Sequence, residues 1–515
     1  MNGIEASIHT LLAGGVDTCF ANPGTSEMLF VAAADKAPEF NCVLCLSEGV
    51  VTGAADGYGR MAGNPAATLL HLGVGAANGL ANLHNAHKAR TPVINLIGQN
   101  GIRHLRHDFP LDAEIEGIVS PFSDWVRLAY DSRDLARDTA EAIAAARQAP
   151  GQVCSLIIAA DASWGPSEGV AQLAPPRHAP VPAEATVQQT LDLLRKAKRA
   201  LILIDGAALR APGLEAAARI ANATGATVCT PWVVARSERG AGLPEFARLP
   251  LDVRQAQAFL EGVDLIVLVG ARAPVASFSY PDRPCSPVTD DMVVHTFAEP
   301  REDLCAGLER LASALEAPAL HSEPVGLLPP LPRGEAALTA AAISAAVAHL
   351  LPSQAIIAEE ANTSGERLRE FTAAAPRHDL LQITGGAIGI ALPLAVGAAV
   401  ACPQRPVLCL ESDGSGLYNL QALWTMARQR LNIVVVIYAN RKYKVLQAEL
   451  ARMGVADLGG NAREMLDIDR PDIDWVALAR GFGVPGVRVD TQGGFSTALK
   501  DAFALPGPHL IEARI

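Results

Sequence analysis

Glu411-Ser412-Asp413-Gly414-Ser415-Gly416, followed further on by Ala439-Asn440-Arg441-Lys442, decides how the rest of the chain is read. The apolar run from Pro406 to Leu410 predicts a buried strand entering an Asp-Gly-Ser turn. Leu417, Leu420, Leu423, Trp424 and Ala427 then follow at helical spacing for one buried face, and Ile433 to Tyr438 read as a second apolar strand. In such a strand-turn-helix-strand unit both polar signatures fall at the carboxyl ends of adjacent parallel strands. That is where open α/β sheets bind ligands.

The arrangement suits a divalent metal carrying a diphosphate. Asp413 offers a carboxylate, Asn440 an amide oxygen and Lys442 a backbone carbonyl, while Gly414 and Gly416 let N–H groups approach phosphate. Mg²⁺ wants six oxygens and keeps few protein ligands, so a diphosphate and a water would complete the set. An Asp-Gly turn beside a polar strand end also occurs where nothing binds, and residue types alone do not choose between the two.

Spacing does. Asp-Gly-Ser, with 26 residues between Asp413 and an Asn that closes an apolar strand, resembles the thiamine diphosphate motif. The likeness extends over essentially the whole chain. It points to the family of 2-oxo acid decarboxylases and acetolactate synthase large subunits, with benzoylformate decarboxylase nearest. Ser412 and Ala439 depart from the family's usual Gly and Asn, without removing an expected ligand.

Composition agrees with a large enzyme. A chain of 515 residues fits two or three domains. No apolar run reaches membrane-span length and the first thirty residues lack a signal pattern, so a soluble cytoplasmic protein is expected, with no membrane partner. The net charge of −12 argues against non-specific nucleic-acid binding. The nine cysteines read as reduced thiols, and Cys42 and Cys45, in one apolar run, as core residues.

Apolar runs at Asp17 to Phe20, Asn41 to Leu46, Ala67 to Leu72, Val93 to Ile97 and Val153 to Ile158 alternate with Ala-rich helices. Pro-rich stretches at Pro166 to Pro182 and Ala317 to Arg333 cut the chain into blocks 1–165, 183–316 and 334–515. Each block alternates strand and helix, predicting three doubly wound α/β domains with parallel sheets. The resemblance implies that they are a pyrimidine-binding domain, a central domain and a diphosphate- and Mg²⁺-binding domain. It also implies a homodimer or homotetramer with sites at the subunit interface.

Glu48 opens a predicted helix, where a carboxylate is ordinarily a surface partner of the helix dipole. By resemblance it is instead the acid that hydrogen-bonds the cofactor's aminopyrimidine and makes its imine tautomer accessible. The glycine-rich turn Thr384 to Gly389 would supply the Gly386 carbonyl to the exocyclic amine and Ile388 as the wedge that bends the cofactor. Asn362, Thr363 and Ser364 look like helix caps, and in the family that turn touches the diphosphate; Gly414, Ser415 and Tyr443 complete the expected cofactor contacts.

Thr25, in Asn22-Pro23-Gly24-Thr25, matches a substrate-contacting serine of benzoylformate decarboxylase, His71 one of its two catalytic histidines, and Gln99 a glutamine near the family's active site. A lone His at a strand end is otherwise a hydrogen-bonded core residue. The second histidine is missing, its place taken by Ser279 or Tyr280. Asp124 falls near a lysine used by acetolactate synthases, and FAD is not expected. His84 and His87 read as a polar helix face rather than a metal pair, and the basic loop Arg103 to Asp108 as a candidate for recognising the substrate carboxylate. The expected activity is decarboxylation of a 2-oxo acid, with carboligation in reach. The rival readings are a non-catalytic binding protein on the same fold, a lyase or hydrolase branch of the family, and a dehydrogenase suggested by Leu201 to Gly206.

Overall fold

The computed structural model describes residues 1–319, 326–365, 367–455 and 457–515. Part of the second Pro-rich linker, 320–325, lies outside them. The chain forms two compact units: one of Met1–Pro176, Leu328–Pro376 and Leu381–Ile515, the other of Arg177–Leu327 with Arg377–Leu380.

In the first unit, the amino-terminal block builds a sheet with strand order Asn41–Leu44, Thr18–Ala21, Ala66–Leu70, Val93–Gln99, Val153–Ala159, Trp125–Ala129. All its pairings are parallel. The central strands are covered on both faces, so their polar residues must pair with one another. Thr68 donates to Asn95 Oδ1 at 2.8 Å, and Asn95 donates to Ser155 Oγ at 3.0 Å. Asn41–Leu44 is an edge strand. This is why Cys42 is exposed, against the sequence expectation, while Cys45 is buried with its thiol pushed up to about 12.

The carboxyl-terminal block of the same unit builds a second sheet, in which Gly486–Val489, His509–Arg514, Ile433–Ala439, Val407–Ser412 and Ala355–Glu360 pair in parallel in that order. Ser412 lies opposite Tyr438 in the register, so the Asp413 turn and Asn440 leave neighbouring strands at the same sheet end. Between the two sheets the helices Glu48–Ala62 and Ala391–Ala401 pack at very close range. A Cβ on Gly397 would lie 1.9 Å from the Ala54 carbonyl oxygen, so only glycine permits this approach.

The second unit carries a parallel sheet that includes Thr227–Thr230, Ala200–Ile204, Leu265–Val269 and Val293–Ala298 in that order. Its core gathers Ile202, Ile204, Val267, Val269 and Phe297. Ser279 and Tyr280 belong to this unit, the Tyr280 ring lying under the Arg283 guanidinium at 4.1 Å. No helix among the described residues is long and apolar enough to cross a membrane.

Candidate active site

At the end of strand Val407–Ser412 the chain turns so that both oxygens of Asp413 accept backbone N–H groups: Oδ1 from Gly414 at 2.9 Å and Oδ2 from Arg441 at 2.6 Å. Asp413 is 3% exposed, and burial pushes its carboxyl up to about 6 against the pull of those two donors. Arg441 has a φ of 59°, an unusual value for a residue with a side chain, and Asn440 Oδ1 accepts the Lys442 N–H at 3.0 Å. The turn is anchored by Tyr443 N–H donating to Leu466 O and Ile468 N–H to Arg441 O.

The helix expected directly after this motif starts later. A 3-10 turn, Gly416–Tyr418, comes first, and the α-helix runs from Ala422 to Gln429, burying Ala422, Leu423, Thr425 and Met426. Trp424 is only half-buried, with Arg428 over its ring. Asn362, Thr363 and Ser364 form a 3-10 turn, Asn362–Gly365, rather than capping a helix. Asn362, at φ 49°, donates from Nδ2 to Ser412 Oγ at 3.1 Å and to Glu360 O at 3.2 Å, which ties this turn to the Asp413 strand. The Ser415 hydroxyl is turned inward and donates to Glu411 at 2.7 Å.

Residues far off in sequence shape the glycine-rich turn. Asn85 Oδ1 accepts the N–H groups of Gly385 and Ala387, and Asn85 Nδ2 donates to Ala387 O. Arg60, in a buried bidentate pair with Asp56, donates to Gln382 O and Thr384 Oγ1. Behind the turn, the Glu360 carboxylate accepts the N–H groups of Gly389, Ile390 and Ala391 at 2.8, 2.7 and 3.1 Å. Gly386, held between these anchors at φ 81°, has no heavy atom within 4 Å of where a Cβ would stand. The turn is gripped on both flanks and open at its centre.

In the amino-terminal sheet, Glu48 is 8% exposed, so it is not the surface dipole partner its position suggests. Its Oε1 accepts from Asn22 Nδ2 at 3.0 Å and its Oε2 from Asn78 Nδ2 at 3.3 Å. Both of these donors are neutral amides. A Cβ on the next residue, Gly49, would stand 2.5 Å from Asn419 Oδ1, and Asn419 Nδ2 donates to Gly389 O. The start of the Glu48 helix therefore lies against the segment that carries the glycine-rich turn.

His71 caps the helix Leu72–Ala89 and is steered by a residue the sequence reading missed. Glu27, 4% exposed, meets His71 Nδ1 at 2.8 Å and accepts the Gly24 N–H at 2.9 Å through the same oxygen. With Nδ1 donating to Glu27, Nε2 is the nitrogen left to face a substrate. Gly24 makes room for the ring, since a Cβ there would fall 2.1 Å from His71 Nδ1. The sequence signal was Glu27 closing the Asn-Pro-Gly-Thr turn, where an acid reads as an ordinary first-turn residue. Thr25 and Gln99 line one cavity of about 650 Å³. His87 lies 3.4 Å from Asp124, and His84 packs edge-on against Phe122.

Among the described residues no cluster of three or more His, Cys, Asp or Glu could hold a metal. The Asp413 set answers to a different description: one carboxylate, one amide oxygen and one carbonyl, which suits an oxygen-seeking Mg²⁺ that brings its own phosphate and water ligands. The donor chemistry fits a metal-diphosphate group, and the open space over Gly386 fits an aromatic ring edge.

Comparison with known proteins agrees. Residues 1–115 match the thiamine pyrophosphate enzyme N-terminal TPP binding domain, and residues 363–513 the C-terminal TPP binding domain. A Mycobacterium tuberculosis protein whose name places it among acetolactate synthase large subunits is 47% identical over 99% of this chain and 98% of its own. The chain belongs to the thiamine pyrophosphate enzyme family. Within that family it sits in the group of 2-oxo acid decarboxylases and acetolactate synthases. Benzoylformate decarboxylase of Pseudomonas aeruginosa is 28% identical over 99% of this chain and 98% of its own. The Rhodococcus jostii thiamine diphosphate-dependent 4-hydroxybenzoylformate decarboxylase superposes with a TM-score of 0.88 at 25% identity, covering 100% and 99% of the two chains. Sequence identity thus does not single out benzoylformate decarboxylase within the family.

Proposed function

We propose that this chain is a thiamine diphosphate- and Mg²⁺-dependent enzyme that removes CO₂ non-oxidatively from a 2-oxo acid, with carboligation to an acceptor carbonyl within its reach. The observation that carries the reading is Glu48, a carboxyl buried at a helix start and met by two amides, in a chain that also presents the Asp413 and Asn440 oxygens. Bound thiamine diphosphate supplies an electron sink for the pair released when the bond to CO₂ breaks.

Asp413, Asn440 and the Lys442 carbonyl hold Mg²⁺ and through it the diphosphate, with Asn362, Thr363, Ser364, Gly414, Ser415 and Tyr443 around them. Glu48 would meet the cofactor's ring nitrogen and exchange a proton with it, the Gly386 carbonyl would accept from its exocyclic amine, and Ile388 would pack against it. Thr25 and Gln99 orient the substrate. His71, fixed through Nδ1 by Glu27, presents Nε2 for proton delivery to the carbon that CO₂ has left.

The second histidine of benzoylformate decarboxylase has no counterpart in the matching stretch, where Ser279 and Tyr280 stand instead, and hydroxyl groups deliver protons less readily than an imidazole. Slow protonation leaves time for attack on another carbonyl, so ligation competes with aldehyde release. A panel of 2-oxo acids, with and without an acceptor aldehyde, tests this by CO₂ release and product mass. Cofactor binding without CO₂ from any of them would overturn the reading. The three-domain layout and a homodimer or homotetramer with interfacial sites belong to the same proposal, and sedimentation distinguishes the assemblies.

A further inference from the structure

The cavity that holds Thr25 and Gln99 has a second wall with a different character. Arg103, His104, Arg106 and His107 line it, on the loop that follows strand Val93–Gln99. Each guanidinium offers a fork of N–H donors that suits a carboxylate, and Arg106 Nε also donates to His107 Nε2 at 3.2 Å. The acid in the wall, Asp161, is engaged in shaping the loop: its Oδ2 accepts the Ile102 N–H at 2.7 Å. Two exposed apolar side chains line the same cavity, Trp164 at 61% and Met28 at 48%.

Two arginines in the cavity that Thr25 and Gln99 line pose a chemical problem. The carboxylate that leaves as CO₂ loses its negative charge on the way to the transition state. A guanidinium bound to it stabilises the ground state more than the transition state and slows the step. The sequence reading of this loop as the receptor for that carboxylate therefore conflicts with the chemistry. At about 650 Å³ the cavity is in the range of pockets that enclose whole small molecules.

We propose that the substrate is a 2-oxo acid with a second anionic group, a dicarboxylate whose distal carboxylate docks on Arg103 and Arg106 while Trp164 and Met28 cover its methylenes. The assignment of the reacting end rests on the function proposed above. The docking of the distal group does not.

Two measurements keep those apart. Glutarate and pentanoate, which lack the keto group and cannot react, are titrated calorimetrically into the full-length chain. Glutarate is expected to bind at least about 10-fold more tightly, and Arg103→Gln and Arg106→Gln each to cut that preference several-fold, as loss of a charge-assisted hydrogen bond implies. In the cofactor-loaded enzyme, the ratio of kcat/KM for 2-oxoglutarate over 2-oxopentanoate is expected to fall in the same variants, and to fall with added salt in the wild type. Equal binding of glutarate and pentanoate, or a preference that survives both substitutions, would overturn the proposal even if neutral 2-oxo acids release CO₂. A glutarate preference without CO₂ from any 2-oxo acid would instead overturn the decarboxylase reading and leave the anion site standing.

Discussion

Glu360 and Glu411 stand directly opposite each other on adjacent parallel strands, 1% and 0% exposed. Glu360 accepts three backbone N–H groups, whereas Glu411 accepts from Ser412 N and Ser415 Oγ through one oxygen and leaves Oε2 without a partner. Burial pushes Glu360 up to about 7 and Glu411 well above the carboxylate range, each aggravated by a neighbouring acid. The donors favour charge on Glu360, so Glu411 is the partner that stays protonated. Glu411→Gln, neutral and of the same shape, should then be nearly silent. Glu360→Gln should cost about 1–3 kcal/mol, because one amide oxygen cannot serve three donors. Thermal melts of the two variants check this, and equal losses would reverse the assignment.

The same pair sets a pH dependence. Glu360's folded pKa is raised, so its contribution to stability is present below the ordinary carboxylate range and is lost as pH rises through about 7. The denaturant midpoint of the wild type should fall more between pH 5 and pH 8 than that of Glu360→Gln. Parallel falls would show that Glu360 does not carry the effect.

At the proposed Mg²⁺ site the sign concerns binding. A proton and Mg²⁺ compete for Asp413, whose carboxyl is pushed up to about 6. Affinity for Mg²⁺ and thiamine diphosphate should therefore weaken toward tenfold per pH unit below 6 and flatten above it. Asp413→Asn, which removes the charge, should bind little cofactor at any pH. Calorimetry at pH 5, 6 and 7.5 decides, and a flat profile would remove Asp413 from the ligand set.

Glu48→Gln separates activation from binding. Its contact is one among many, so cofactor affinity should hold within a few-fold while turnover falls by on the order of 10²-fold or more. Normal turnover in this variant would cancel the role assigned to Glu48.

What could be read in advance follows from how burial is encoded. Strands such as Val153–Ala159 and Ile433–Ala439 are covered on both faces and announce themselves as apolar runs. Trp125–Ala129 was not recognised, because it is an edge strand with mostly half-buried residues, and His378–Gln382 was missed because its buried positions include His, Asp and Gln. The Asp413 motif, Glu48 and His71 stand out as candidates in the sequence because spacing or local sequence marks them. Asn85, Arg60 and Glu360 do not. Asn85 grips a turn 300 residues away, and a glutamate in a sequence reads as surface until its donors are seen. Glu27 was hidden for the same reason.

Glu27, His71 and Gly24 lead to the last test. If Glu27 acts only by holding His71 Nδ1, the two residues form one unit and their losses should not add. His71→Ala should lower kcat by on the order of 10²-fold as a lost proton donor, and Glu27→Ala by a smaller factor. The double variant should match His71→Ala alone. Gly24→Ala, whose methyl would occupy the space of the His71 ring, should resemble His71→Ala in kcat while leaving cofactor affinity unchanged, since the three atoms nearest that methyl all belong to the His71 ring. Single-turnover kinetics and cofactor titration on the four variants supply the cycle. Additive losses for Glu27 and His71 would mean that Glu27 acts on the reaction by a route of its own.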